Sequence, residues 1–345
     1  MKKILVTGGT GYIGSHTLVD LIEQGYDVIS VDNYSRSDAR MLQGIESITG
    51  KKVPNYAIDL CSLSDTRTIF EQHKDIAGII HFAAYKAVGE SVEQPLLYFE
   101  NNIQSLLNLL RCVQEYRIPY FVFSSSCTVY GEPDEIPVTE QTPLKSAASP
   151  YGLTKQIGEQ LLQDFVKVTD CSALLLRYFN PAGAHPSAQI GELPIGKPQN
   201  LVPAITQSAL GVIDALTVHG IDYPTRDGSC VRDYIHVCDL ARAHTQALQL
   251  LEKENKTHAC EAINLGSGTG VTVLEAIRAF EKAAGRTLEW TAGPRRPGDV
   301  MAIYANNEKA TSRLGWRAAY DVEAIMATAW AWEQRYRNGE TVLSR

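Results

Sequence analysis

The chain has 345 residues, of which 44% are hydrophobic and 21% charged, a balance ordinary for a globular protein with a large core. Its 32 Lys and Arg residues against 39 Asp and Glu give a formal net charge of −7, with both signs spread along the chain. The sequence has no basic tract, which argues against nucleic acid or an anionic membrane as a partner. No apolar run reaches the ~18 residues that a membrane-spanning helix needs.

Cysteine and histidine spacing excludes two further classes. The seven cysteines are scattered and form no CxxC pair, which is typical of reduced thiols and not of a disulfide framework. The eight histidines show no HExxH or other ligand spacing, so the sequence predicts no metal site. The chain enters an apolar run at Ile4 with no signal-peptide pattern before it. By elimination, we expect a cytoplasmic protein.

Short apolar runs alternate with amphipathic segments through the first half of the chain. The predicted strands span 3–7, 27–32, 55–59, 78–82, 120–125 and 173–179. The predicted helices between them span 13–24, 63–72, 96–116 and 151–168. This order predicts an α/β fold with a doubly wound parallel sheet of the Rossmann type, covered by helices on both faces.

The pattern changes after Asn180. Proline and glycine crowd 181–203, which is typical of a long functional loop, and the later elements are shorter and mixed. A run at 262–265 predicts a strand that returns to the main sheet. We therefore expect a cofactor domain over 1–180 and a smaller, discontinuous mixed α/β substrate domain over 181–345, with the ligand cleft between them.

The first predicted strand runs into a glycine-rich loop with glycines at Gly8, Gly11 and Gly14. Glycine permits a tight turn and lets backbone N–H groups approach a pyrophosphate, and the following helix directs its positive end at that anion. Three glycines alone also suit an ordinary turn. Their place between the first strand and the first helix favours a dinucleotide site.

Asp32 ends the second predicted strand, 18 residues beyond Gly14. A carboxylate here accepts hydrogen bonds from a ribose 2′-hydroxyl and repels a 2′-phosphate, which favours NAD over NADP. Two observations weaken this preference. Asp-Asn is also a common turn at a strand end, and Arg36 lies close enough in sequence to attract a phosphate.

A serine run at 124–126 ends the fifth predicted strand, and a Tyr-x-x-x-Lys pair, Tyr151 and Lys155, begins the next helix. Residues four apart share a helix face, and a nearby ammonium lowers the pKa of a phenol from its usual ~10. Tyr151 is therefore a candidate general base for a hydroxyl proton while hydride leaves the carbon for nicotinamide. Ser126, at the carboxyl edge of the sheet, is a candidate for holding the substrate oxygen.

These motifs resemble the extended short-chain dehydrogenase/reductase family, and within it the UDP-hexose 4-epimerases. The resemblance covers essentially the whole chain. Further segments carry it: HFAAYKAVGES (81–91), PLLYFENN (95–102), SSSCTVYGEP (124–133), LRYFNPAGAHP (176–186), DGSCVRDYIHV (227–237) and RRPGD (295–299). Cys127, within the third of these, is interpreted as a small buried residue and not a nucleophile.

The resemblance implies the following roles by position. The catalytic residues are Ser126, Tyr151 and Lys155. The NAD site comprises Gly8, Gly11, Tyr12, Ile13, Gly14, Asp32, Asn33, Asp59, Leu60, Phe82, Ala83, Lys86, Asn101, Ser124, Tyr151, Lys155 and Tyr178. The UDP-sugar site comprises Ser126, Tyr151, Asn180, Asn200, Leu201, Arg232, Arg296, Asp299 and Ile303. Two guanidiniums suit a pyrophosphate, although an isolated arginine is more often a solvated surface charge.

The implied activity is C4 epimerisation, interconverting UDP-glucose and UDP-galactose through a transient 4-keto sugar and NADH, as part of galactose metabolism. The resemblance also implies a homodimer. Ile303 aligns with a gate residue that admits or excludes N-acetyl groups, although it also suits a purely structural core position.

Three alternatives remain at this stage. A 4-epimerase for UDP-N-acetylhexosamines or UDP-uronic acids would show the same motifs. A 4,6-dehydratase would need an acidic pair where this chain has Ser126-Cys127-Thr128-Val129-Tyr130. A non-catalytic NAD-binding regulator would have no need of both Tyr151 and Lys155.

Overall fold

A computed structural model describes residues 1–296 and 300–343. The strands are β1 (Lys3–Thr7), β2 (Asp27–Val31), β3 (Asn55–Tyr56), β4 (Ile76–His81), β5 (Tyr120–Ser124), β6 (Ser172–Tyr178), β7 (Asn180–Ala182), β8 (Leu216–His219), β9 (Val231–Arg232), β10 (Tyr234–His236), β11 (Cys260–Leu265), β12 (Val271–Thr272), β13 (Trp290–Gly293) and β14 (Ala302–Ile303). The helices are α1 (Tyr12–Glu23), α2 (Arg40–Thr49), α3 (Leu63–Gln72), α4 (Val88–Glu93), α5 (Pro95–Tyr116), α6 (Pro150–Val166), α7 (Leu201–Ala209), α8 (Val237–Glu254), α9 (Val273–Ala284), α10 (Glu308–Leu314) and α11 (Val322–Leu343).

The main sheet has seven parallel strands in the order β11-β6-β5-β4-β1-β2-β3. This order confirms the predicted α/β fold with a doubly wound parallel sheet. The chain reverses direction across the sheet beside β1, so the loops after β1 and β4 flank the crevice where such folds bind ligands. β11 pairs with β6 over its whole length, from Cys260 to Leu265.

Alternating side chains of the strands build two hydrophobic layers, one on each face. On one face, Ile4 and Val6 pack with α1, α2 and α8. On the other, Leu5 packs with α3, α5 and α6. Each central strand is buried on both sides, which is why these segments read as continuous apolar runs in the sequence.

Local capping signals fix where the helices α6 and α9 begin. The Ser149 hydroxyl accepts a hydrogen bond from the Gly152 N–H and Pro150 opens α6, while Thr272 and Glu275 form a capping box at the start of α9. The third predicted strand, 55–59, was too long, because pairing with β2 stops at Tyr56. The edge position explains the short pairing, since β3 has a neighbour on one side only.

The later part of the chain adds three small sheets: β10 with β7, β12-β9-β14, and β13 with β8. Helices α7, α9 and α11 pack on a third hydrophobic cluster beside them. The division of the chain near residue 180 into cofactor and substrate domains stays a prediction. No helix within residues 1–296 and 300–343 is long and apolar enough to cross a bilayer.

One buried carboxylate, Asp239 in α8, attaches the segment before α11 to the Rossmann sheet. Its Oδ2 accepts hydrogen bonds from the N–H groups of Ala319 (2.9 Å) and Tyr320 (3.0 Å), and its Oδ1 accepts one from Arg242 (2.7 Å). The Asp239 carbonyl oxygen also accepts the indole N–H of Trp316 at 2.8 Å. Because the side chain is fully buried, water does not compete for these donors.

We expect Asp239→Asn to destabilise the fold without altering the ligand sites. The amide keeps the shape but replaces one acceptor oxygen with a donor, so a buried N–H or guanidinium loses its partner. The free energy of unfolding should fall by about 1–3 kcal/mol, measured by urea denaturation. An unchanged midpoint would show that the contacts of this carboxylate add nothing to stability.

Candidate active site

The glycine-rich loop joins β1 to α1 at the carboxyl edge of the sheet. Gly8 has φ +69°, and a Cβ there would lie 2.8 Å from the Ala83 nitrogen; a Cβ on Gly14 would overlap the Gly8 carbonyl oxygen. Both positions therefore require glycine. The loop closes through a hydrogen bond from the Gly11 N–H to the Gly8 oxygen at 3.0 Å.

The first turn of α1 is arranged to receive an anion. Gly11 caps the helix without a side chain, so no side-chain acceptor occupies the N–H groups that follow it. Tyr12 and Ile13 open the helix, and the Tyr12 hydroxyl donates to the Gly183 carbonyl at 2.6 Å. The loop thus combines close backbone access with the positive end of a helix.

Asp32 follows β2 immediately and lies beside this loop. Its carboxylate accepts hydrogen bonds from the Thr10 N–H (3.2 Å), the Tyr34 N–H (2.9 Å) and the Ser37 hydroxyl (2.7 Å). Arg36, which weakened the NAD preference in the sequence, pairs with Glu90 at 2.7 Å and stacks over the Tyr85 ring. Its charge is thereby balanced by a carboxylate, which favours Asp32 as the group that decides cofactor choice.

The other expected cofactor residues follow the carboxyl ends of β2 to β4 or lie on α5. Phe82 packs against His244, with ring centroids 4.6 Å apart. Lys86 pairs with Glu192 at 3.1 Å, and the Asn101 amide donates to Asn102 at 2.9 Å. The remaining positions are exposed at Asn33 and Asp59, buried at Leu60, and half-buried at Ala83.

The expected reaction centre assembles where β5 ends beside α6. Tyr151 and Lys155 share one face of α6 and are both buried. The Lys155 ammonium donates to the Ser124 carbonyl at 2.7 Å, and its nitrogen lies 5.9 Å from the Tyr151 ring centroid. Ser126 caps the 3-10 turn Cys127–Tyr130 by accepting the Thr128 N–H at 3.3 Å.

Burial dominates the charge state of the two central groups. It raises the pKa of Tyr151 well above the usual phenol value, and a hydrogen bond with Ser126 opposes that rise. It lowers the pKa of Lys155 to about 8, while the Glu159 carboxylate opposes the fall. The net change in the pKa of Tyr151 is therefore opposite to the one expected from the ammonium alone, because desolvation of the phenolate outweighs a charge this distant.

Tyr178, at the end of β6, lies near Tyr151. Its hydroxyl lies 2.5 Å from the Ser124 hydroxyl, and burial raises its pKa to about 12. Burial likewise raises the pKa of Cys127 to about 12, with Arg232 opposing. Cys127 is thus a protonated thiol, which agrees with its interpretation as a packing residue and not a nucleophile.

The residues expected to contact substrate converge only in part. Ile303 is buried and faces Arg232 in the register between β14 and β9. The Arg232 guanidinium donates to the carbonyls of Val231 (2.9 Å) and Val300 (2.7 Å), which holds it against this small sheet. The Asn180 side-chain oxygen is buried without a hydrogen-bond partner among the described residues.

The remaining expected substrate contacts lie on other segments of the chain. Asn200 donates to Glu192 at 2.6 Å, and Leu201 opens α7 directly after it. Arg296 is exposed at the surface. Asp299 lies outside the described residues, so its predicted contact stays a prediction.

Two carboxylates at the site were missed by sequence reasoning. Glu192 accepts hydrogen bonds from both Lys86 and Asn200 through one oxygen, Oε1. No sequence signal marked it, since it sits in an irregular loop. Glu159, four residues beyond Lys155, follows the helical spacing that placed Tyr151 and Lys155 together and was within reach of the same argument.

Comparison with known proteins places these features in a family. The GDP-mannose 4,6-dehydratase family model matches residues 5–329. A UDP-glucose 4-epimerase of Schizosaccharomyces pombe is 48% identical over 341 residues, covering 97% of this chain and 95% of its own.

Solved structures agree with that relationship. A UDP-glucose 4-epimerase of Bifidobacterium longum, in complex with NAD+ and UDP, matches with a TM-score of 0.93 and 44% identity, covering 98% of this chain and 99% of its own. A UDP-glucose 4-epimerase of Stenotrophomonas maltophila, with bound NAD and formylated UDP-arabinopyranose, matches with a TM-score of 0.94 and 43% identity, covering 98% and 100%.

We expect Asp32→Ala to relax discrimination between NAD and NADP. The change removes both an acceptor for the ribose 2′-hydroxyl and the charge that repels a 2′-phosphate. Titration of the apoprotein with each cofactor measures the ratio of dissociation constants. Asp27→Ala, an exposed carboxylate at the other end of β2, is the matched control and should leave that ratio unchanged. Equal affinity of the wild-type apoprotein for NAD and NADP would contradict the assignment of Asp32.

Proposed function

We propose that this chain, which belongs to the GDP-mannose 4,6-dehydratase family of extended short-chain dehydrogenases/reductases, interconverts UDP-glucose and UDP-galactose by NAD-dependent epimerisation at C4. One observation carries the chemistry: Tyr151 and Lys155 are buried on one face of α6, with Lys155 hydrogen-bonded to the strand end that bears Ser126. This places a phenol, an ammonium and a hydroxyl together at the carboxyl edge of a dinucleotide-binding sheet.

The glycine loop fits NAD on stereochemical grounds. Side chains at Gly8 or Gly14 would collide with the backbone of Ala83 or of Gly8, so only glycine allows this tight loop, and the loop leads directly into the start of α1. Asp32 is the proposed ribose ligand. Bound NAD supplies the oxidised, positively charged ring that accepts hydride from the sugar.

Each residue at the reaction centre has a distinct proposed part. Tyr151 would take the proton from the C4 hydroxyl as the C4 hydrogen leaves as hydride for the nicotinamide, so that a 4-keto sugar forms, and it would return the proton when hydride returns to C4. Lys155 holds positive charge near the phenol, and Ser126 donates a hydrogen bond to the same substrate oxygen. Because burial raises the pKa of Tyr151, its phenolate depends on positive charge in the loaded site.

Epimerisation further requires that the sugar turn over while the nucleotide stays held. Arg232, fixed to the carbonyls of Val231 and Val300, presents a guanidinium suited to a diphosphate. Asn180 offers a buried oxygen that has no hydrogen-bond partner within residues 1–296 and 300–343, which suits a ligand donor. Inversion at C4 requires firm contacts to UDP and sparse contacts to the hexose, and Arg232 and Asn180 are the proposed contacts to the nucleotide part.

Residues after the catalytic serine argue against dehydration. Elimination of water needs an acidic pair, and Ser126 is followed by Cys127, Thr128, Val129 and Tyr130. Cys127 is a protonated thiol and Tyr130 is buried with a raised pKa, so neither replaces a carboxylate. The family name of the matching model thus describes the shared fold and cofactor chemistry, and not the outcome proposed for this chain.

A homodimer and a cytoplasmic location are also proposed. Exposed apolar side chains mark the helices α4 to α6, at Val92, Leu96 and Leu153. α5 packs along α6 in the monomer, so pairing two copies through these helices would make a four-helix contact. The cytoplasmic location stays a prediction from the sequence.

We expect Tyr151→Phe to abolish most turnover while preserving nucleotide binding. The ring remains, and only the hydroxyl that moves the proton is lost, which should cost about 10²–10⁴ in kcat. UDP-galactose turnover in a coupled assay for UDP-glucose gives kcat, and calorimetry gives UDP affinity. Tyr26→Phe, at the opposite end of the sheet, is the control, since the Tyr26 hydroxyl donates to Glu252 at 3.1 Å and lies away from the serine segment. Near-wild-type turnover by a folded Tyr151→Phe protein would contradict the proposed mechanism.

Sugar choice is expected to depend on Ile303. It packs in a buried cluster with Val129, Phe179 and Ala305 beside Cys127, and its β-branch restricts χ1. We expect strong preference for UDP-glucose and UDP-galactose over UDP-N-acetylhexosamines. Ile303→Ser should raise kcat/KM for UDP-N-acetylglucosamine about tenfold, within the ~1–3 kcal/mol that an apolar pocket discriminates.

Ile325→Ser is the control for general destabilisation of the fold, because Ile325 is also buried but belongs to a different hydrophobic cluster. Equal wild-type efficiency on both substrate pairs, or unchanged selectivity in Ile303→Ser, would remove Ile303 from a gating role and leave the N-acetylhexosamine alternative open.

A further inference from the structure

A buried ion pair lies one helical turn beyond Lys155. Glu159 of α6 is 1% exposed and Arg177 of β6 is 4% exposed. The guanidinium binds the carboxylate in bidentate fashion, with Nε to Oε1 at 2.8 Å and Nη2 to Oε2 at 2.6 Å. This geometry fixes the orientation of both side chains.

The same carboxylate reaches the serine segment. The Ser125 hydroxyl donates to Glu159 Oε1 at 2.5 Å. Ser125 lies between Ser124, whose carbonyl accepts the Lys155 ammonium, and Ser126, whose hydroxyl is proposed to bind substrate. Glu159 therefore anchors the middle residue of the segment whose two outer residues serve the general base and the substrate.

The guanidinium continues the contact on the far side of Ser126. Arg177 Nη1 donates to the Tyr130 hydroxyl at 3.1 Å, and that hydroxyl donates to the Asn264 side-chain oxygen at 2.6 Å. Tyr130 ends the 3-10 turn that Ser126 caps. The ion pair thus holds the chain both before and after Ser126.

The Glu159 charge also acts on Lys155. Burial lowers the pKa of the lysine to about 8, and Glu159 opposes this effect. His81 faces the lysine as a neutral ring, since burial lowers its pKa to about 3. The other titratable or charged groups around Glu159 and Lys155 are Tyr98, Cys127, Tyr130, Tyr151, Arg177, Tyr178 and Cys260.

We propose that Glu159, oriented by Arg177, is a positioning residue for the general base: it anchors the serine segment through Ser125 and places a negative charge one helical turn from Lys155. This inference rests on the proposed function of Tyr151 and Lys155. A buried ion pair is otherwise weak evidence of more than a structural role, so the test must separate positioning from stability.

The test compares kcat and KM as functions of pH in NAD-loaded wild type and Glu159→Gln. Without the negative charge, Lys155 loses its proton at lower pH, so the alkaline limb of kcat should move about 1 pH unit toward acid. On the alkaline limb itself, kcat at a given pH should fall about tenfold, with KM within about twofold of wild type. The pKa of Tyr151 should rise in the same variant. It is measured from tyrosinate absorbance, as the difference between each protein and the same protein carrying Tyr151→Phe.

Two further variants separate the two parts of the proposal. Ser125→Ala keeps both charges and removes only the anchor, so kcat should fall severalfold with the alkaline limb unmoved. The double variant Glu159→Gln/Arg177→Met avoids an uncompensated guanidinium and replaces the single variant if that fails to fold. Asp239→Asn, an equally buried carboxylate, is the control for destabilisation and should leave the pH profile unmoved.

Any of three results would overturn the proposal. Ser125→Ala could keep the wild-type kcat, the alkaline limb of kcat could stay in place after loss of the Glu159 charge, or Asp239→Asn could move that limb equally. These failures are distinct from failure of the proposed function. If the proposed function were wrong, the wild-type protein itself would not turn over UDP-galactose, or Tyr151→Phe would turn it over at the wild-type rate.

Discussion

The hydrogen bond from the Lys155 ammonium to the Ser124 carbonyl is the contact on which the site depends. It joins a helix on one face of the sheet to the end of a central strand, deep enough that water does not share it. A buried ammonium is costly without compensation, and a single main-chain oxygen provides only part of it. The Glu159 carboxylate, one helical turn along α6, supplies further compensation, because it opposes the fall that burial causes in the pKa of Lys155.

Cofactor and substrate regions are built on different physical principles. The glycine loop, Asp32 and the start of α1 use backbone N–H groups and a strand-end carboxylate, all positioned by the rigid parallel sheet. The substrate side relies on short strands and long side chains such as Arg232, attached by a few carbonyl contacts. A proposed cofactor site built on the main sheet, beside a proposed sugar site built on short strands, suits a reaction in which the hexose must turn over.

Glu192 links these two regions. One of its carboxylate oxygens accepts hydrogen bonds from Lys86, on a loop after β4, and from Asn200, at the start of α7. The resemblance assigns one of these residues to the cofactor and the other to the substrate. A single acid thus contacts two side chains that are proposed to serve two different ligands.

The sequence by itself determined the sheet, the glycine loop and the Tyr151–Lys155 face. Each follows from a local rule: apolar runs of strand length, glycine where a Cβ cannot fit, and residues four apart on a helix. Tertiary structure alone decided the pairing of Arg177 with Glu159, the joint contacts of Glu192, and the rise in the pKa of Tyr151. Those depend on burial and on contacts between residues distant in the chain, where desolvation outweighs any preference readable from neighbouring residues.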